Sequence, residues 1–107
     1  MATICGTTPD KLCRPFDLTL DWAGNLYITD RSNHRVQKFS RGSSIGSTVA
    51  GNRNGTAGID LSHFNEPVGI QVDDDGNLYV ADYNNNRVLY WPAGSQSGSI
   101  IAGNGKN

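Results

Sequence analysis

Two pairs of opposite charges share one spacing: Asp30 with Arg35, and Asp82 with Arg87. A carboxylate and a guanidinium set this close can serve a binding site, or they can close a loop by pairing across it. Their recurrence favours the second role, since function tends to reside in a site and not in the repeated part of a scaffold. Asp73-Asp74-Asp75-Gly76 has the acidity of a calcium loop. It lacks the alternating ligand spacing and the closing Glu of an EF-hand, and is read as a solvated turn. His34 and His63 are the only histidines and stand in different segments without a zinc-ligand spacing, so they are read as surface residues. The chain carries no phosphate loop and no pairing of nucleophile with base. The residues therefore point to a protein without catalytic grammar, and no catalytic residue, metal or cofactor is assigned.

Cys5 and Cys13 are the whole cysteine complement. Their even number and short separation allow a disulfide, while the alignment of Cys5 with alanines elsewhere would equally suit a small buried thiol. Asn54-Gly55-Thr56 has the form of a glycosylation sequon. Both features hint at an extracellular origin, and the compartment is otherwise left open.

The elements that must position these groups come from one stretch that occurs twice. Residues 15–51 align without a gap on residues 67–103, at a constant offset of 52. Pro15 falls on Pro67, Gly24-Asn25-Leu26-Tyr27 on Gly76-Asn77-Leu78-Tyr79, Asn33 on Asn85, and Ala50-Gly51 on Ala102-Gly103. In this register Asp74 and Asp75 stand opposite Trp22 and Ala23, which further weakens the calcium reading. Repeats of this length mark propellers and solenoids, whose units bury their faces against neighbours because each is too small for a core of its own. The chain divides into 1–14, a final strand of a preceding unit and a connection; 15–66, a unit and its following connection; and 67–107, a second unit.

Within each unit the first strand alternates, with Phe16, Leu18 and Leu20 on one side and Asp17, Thr19 and Asp21 on the other. Asp and Gly in Asp21-Trp22-Ala23-Gly24-Asn25, and in its counterpart at 73–77, signal a hairpin. The second strand, Leu26-Tyr27-Ile28-Thr29 or Leu78-Tyr79-Val80-Ala81, is apolar enough on both faces for the middle of a covered sheet. A six-residue loop, 30–35 or 82–87, leads to the third strand, and a Gly/Ser-rich turn to the fourth. The fold class expected is all-β, two four-stranded antiparallel meanders.

The pattern Pro-x-Gly-Ile-x-Val-Asp-x-x-Gly-Asn-Leu-Tyr-Val-Ala-Asp-x-x-Asn-x-Arg-Val at 67–88, with a looser copy at 15–36, resembles the NHL repeat. The resemblance covers nearly the whole chain and implies blades of a β-propeller, about six to a ring. Asp17 departs from it, since the family usually has Gly there. The resemblance also admits two other activities. One is that of a lyase or lactonase, which would need a metal in the central channel; the other is RNA binding, which would need a basic loop face. That face offers only Lys11, Arg14, Arg31 and Arg53, and the net charge is −1, so nucleic acid is not the expected partner.

In a meander the loops after the second and fourth strands emerge together. A ligand or partner face is therefore expected at Asp17, Arg31, Asn33, His34, Tyr83, Asn85 and Asn86, suited to a protein or a small polar ligand. No run of about 18 apolar residues is present, so no membrane partner is expected. Two blades without caps read as a piece of something longer, or as a chain that assembles with itself. Residues 1–53 hold seven Lys/Arg against four Asp/Glu, whereas 54–107 hold two against six. This asymmetry favours head-to-tail docking of identical chains, and three chains would complete a ring of about six blades.

Overall fold

A computed structural model describes residues 5–104. Strands β1 (Leu18–Leu20), β2 (Leu26–Asp30), β3 (Arg35–Phe39) and β4 (Gly46–Gly51) form one antiparallel sheet in chain order. Strands β5 (Pro67–Val72), β6 (Leu78–Asp82), β7 (Arg87–Trp91) and β8 (Ser99–Gly103) form a second in the same order. The two blades are near copies in register, since Asp30 faces Arg35 as Asp82 faces Arg87, and each has a bulge after Val36 or Val88. Among the described residues no helix is long and apolar enough to cross a membrane.

The hairpins form as their residues dictate. Asp21 Oδ1 accepts from the amides of Ala23 and Asn25 at 3.0 and 2.9 Å, and Gly24 takes φ of 88°. The Asp73 turn repeats this with Asp75 and Asn77 at 3.0 and 2.9 Å, so the acidic run is a turn whose first carboxylate is occupied by main-chain donors.

The core lies between the blades. Tyr27, Val36 and Ala50 on the rear of the first blade join Ile70, Leu78, Val80, Leu89 and Trp91 on the front of the second in one buried cluster. Phe64, from the connection between the blades, is fully buried in the same cluster, its ring 5.3 Å from that of Trp91. The connection 52–66, rich in Gly and Asn, thus supplies a core residue.

One further expectation is corrected. The six-residue loops contain single 3₁₀ turns, Arg31–Asn33 and Tyr83–Asn85, each ended by a left-handed residue, His34 or Asn86. The N-terminal strand expected at 3–6 is not seen in its described part: Cys5 and Gly6 form no strand, and Thr3 and Ile4 lie outside the described residues. The Gly6 carbonyl accepts from Asn33 and the Thr7 carbonyl from Arg35.

The outer faces of the pair are bare. Ile70 is 3% exposed at the junction, whereas its counterpart Leu18 on the front of the first blade is 59% exposed. Phe16 and Leu20 are exposed beside it.

Candidate functional site

Asp30 is fully buried and its carboxylate is fully engaged. Oδ1 accepts from the Cys13 amide at 2.7 Å, while Oδ2 accepts from Arg35 Nε at 2.7 Å and from Asn33 Nδ2 at 3.0 Å. The other nitrogens of Arg35 donate to the carbonyls of Thr7 and Arg53, both at 2.8 Å, and of Lys11 at 3.0 Å. The second blade repeats the knot. Asp82 takes the Asn65 amide at 2.7 Å, Asn85 at 2.8 Å and Arg87 at 2.9 Å. Arg87 then reaches the carbonyls of Ile59, Asp60 and His63. Each knot pins a 3₁₀ turn to the connection that runs over it. Burial makes such a pair useful only if every donor and acceptor is matched, and the bonds achieve that.

These knots gather the expected face on one side of the molecule, but they also remove residues from it. Asn33 and Asn85, expected among the ligand-facing residues, are both buried, and their amides bond within the knots and to the carbonyls of Gly6 and Gly58. Their recurrence in both blades was the signal that could have placed them with the Asp–Arg pairs. Asp17 is also occupied within the fold, since its Oδ1 accepts from the Leu18 amide and its Oδ2 from the Ile70 amide, at 2.8 and 3.2 Å. It spans the junction where the family's usual Gly could not.

Arg31 and His34 are likewise engaged across the junction, both with Glu66. Arg31 pairs with its carboxylate at 3.3 Å, and His34 Nδ1 accepts from its amide at 3.0 Å. Arg31 keeps part of its surface, and its guanidinium lies 5.6 Å from the Phe16 ring centre. Tyr83 is 61% exposed and Asn86 is exposed beside it. The outward groups of the face are thus a partly shielded cation, a phenol and amides.

The remaining candidates are placed as follows. Cys5 and Cys13 are joined in a disulfide, which closes the segment whose carbonyls hold Arg35 and Asn33. Asn54 is exposed, and its side-chain oxygen accepts from the hydroxyl of Thr56 at 2.8 Å. His63 Nδ1 meets Asp60 Oδ1 at 2.7 Å, and this bond, with the Ser62 amide, holds the Asp60 carboxyl below its ordinary value. Among the described residues, no group of three or more His, Cys, Asp or Glu is placed to hold a metal ion.

The pattern that defines the NHL repeat matches residues 12–39 and 64–89. The chain belongs to the NHL-repeat family. Each match starts in a connection and ends in the third strand of a blade, so the Asp–Arg knot is enclosed by the NHL pattern itself. Among known proteins, the chain is 39% identical over 77 residues to peptidyl-glycine alpha-amidating monooxygenase A of Xenopus laevis, across 70% of this chain and 8% of that protein. It is 34% identical over 84 residues to human NHL repeat-containing protein 2, across 73% of this chain and 12% of the relative. A Caenorhabditis elegans protein described as "Probable peptidyl-alpha-hydroxyglycine alpha-amidating lyase" is 32% identical over 94 residues, across 82% of this chain and 24% of its own length. The chain therefore spans a small part of each relative.

Proposed function

We propose that this NHL blade pair is a non-catalytic interaction scaffold whose working surface is the side bearing the 3₁₀ turns. The observation that carries this reading is the saturation of the recurrent charges. Asp30, Arg35, Asp82 and Arg87 spend their bonds on turns and connections, while Arg31, Tyr83 and Asn86 differ between the blades and keep exposed surface. A cation, a phenol and amides suit an acidic or amide-rich peptide, because Arg and Tyr supply charge-assisted bonds and flat apolar area together. Amide NMR spectra titrated with a short Asp/Glu-rich peptide containing a Tyr are expected to shift at Arg31, Tyr83 and Asn86 and to leave the β5–β8 core unmoved. Shifts confined to the opposite hairpins at 21–25 and 73–77 would contradict the reading.

A second reading, part of an amidating enzyme, is favoured by the names of two of the relatives. It is separated by incubating the chain with a peptidyl-alpha-hydroxyglycine in the presence of zinc or calcium. Turnover above a buffer control would overturn the scaffold reading.

A further inference from the structure

The junction inside the chain shows how one blade receives the next. On the rear of the first blade, Phe64 plugs a hole beside Val36, Ala50 and Gly51; a Cβ placed on Gly51 would come within 3.0 Å of the Phe64 ring. At the same offset of 52 residues, the rear of the second blade carries the matching hole at Val88, Ala102 and Gly103. There it is an open cavity of about 280 Å³, also bordered by Val68 and Ala81.

The residue that stands where Phe64 stands, one repeat earlier, is Leu12. The equivalence is structural as well as numerical. Cys13, which follows Leu12, donates its amide to Asp30 at 2.7 Å, just as Asn65, which follows Phe64, donates to Asp82 at 2.7 Å. Next come Arg14 and Glu66, both at positive φ of 50° and 57°, and then Pro15 and Pro67. The frame that presents Phe64 to the first blade therefore presents Leu12, half-buried, at the leading side of the chain.

We infer that a second copy of this chain docks head to tail on the rear of the second blade, with Leu12 of that copy entering the hole formed by Val88, Ala102 and Gly103. A flat apolar face alone would not specify its occupant, but here the chain displays both halves of a junction it already makes once. Burial tracks that single difference: Tyr27 at the internal junction is 4% exposed, and its counterpart Tyr79 on the bare face is 36% exposed. The polar stitches change in step. Thr29, which donates to the Val68 carbonyl at 3.0 Å, is replaced by Ala81, and Asp17, which holds the Ile70 amide, by Gly69. The Arg31–Glu66 pair becomes Tyr83 opposite Arg14 of the second copy, a cation beside an aromatic ring. The junction between copies is thus more apolar than the one within the chain. Repeated head-to-tail contacts close if the rotation per chain divides a full turn, which three copies achieve for about six blades.

Two variants test the pairing of knob and hole. Leu12→Arg spoils the knob and keeps the hole, while Ala102→Arg blocks the hole and keeps the knob; both sites are at least partly exposed, and circular dichroism verifies that each variant folds. Light scattering is expected to give about three times 11.5 kDa for the unaltered chain and about 11.5 kDa for each variant alone. Mixed in equal amounts, the variants share one good junction and are expected to stop at about twice 11.5 kDa. A folded monomer for the unaltered chain, an assembly that survives either substitution, or a mixture that stays monomeric would overturn the inference. Tyr83 and Asn86 border the hole, so the peptide titration is read on the Leu12→Arg variant, where no second copy covers them, and its outcome is then separate from that of the assembly test.

Discussion

Arg87 places one nitrogen on Asp82 and the others on three main-chain carbonyls, with almost no surface exposed. Removing it strands a buried carboxylate and three acceptors, a loss of about 3–5 kcal/mol. On the Leu12→Arg background, where Tyr83 meets no second copy, Arg87→Met is therefore expected to lower the urea midpoint strongly, while Tyr83→Ser, exposed and outside the knot, is expected to stay within about 0.5 kcal/mol. Equal effects would contradict the division between knot and face. Tyr27 offers a test in alkali. Burial, with the bond to Asp21 at 3.1 Å and the charge of that carboxylate, pushes its phenol up to about 12. A raised pKa means that the folded chain holds the proton more tightly, so this contribution is intact below the ordinary value of 10 and is lost as pH rises through about 12. Phenolate absorbance is expected to show a component titrating near 12 that Tyr27→Phe removes. Its persistence in the variant would contradict the assignment.

At the scale of elements, much of the fold was legible because two copies of one pattern check each other. Alternation, the Asp-x-x-Gly-Asn hairpins and the Asp–Arg spacing each appear twice, and each marks the same element in both sheets. The misplaced residues were those whose role depends on a neighbour far along the chain. Asn33 and Asn85 look like loop amides until the carbonyls of Gly6 and Gly58 are brought beside them. Phe64 was hidden because its segment is rich in Gly and Asn, and only its position just before Glu66-Pro67, matched to Leu12 before Arg14-Pro15, could have revealed it. The structure makes it the plug of the junction, so Phe64→Ala is expected to cost about 3–5 kcal/mol. The same change at the surface residue Ile59 is expected to cost under about 1 kcal/mol. Thermal unfolding of both variants checks this, and a Phe64→Ala chain as stable as the parent would contradict the plugged junction.

For the whole molecule, two opposed facts meet. The blades share one apolar junction that is well filled, yet each presents the matching half of another junction to solvent, with Phe16, Leu18 and Leu20 in front and Ile101 and Tyr79 behind. Apolar patches of this kind are association sites. The charge balance of the halves, basic first and acidic second, adds long-range guidance to that contact without setting its register, which falls to the knob and the hole. Sedimentation velocity of the unaltered chain over a hundredfold range of concentration tests this directly. A dominant folded species of about three times 11.5 kDa that dissociates on dilution is expected, and a folded, concentration-independent species of 11.5 kDa would contradict head-to-tail assembly.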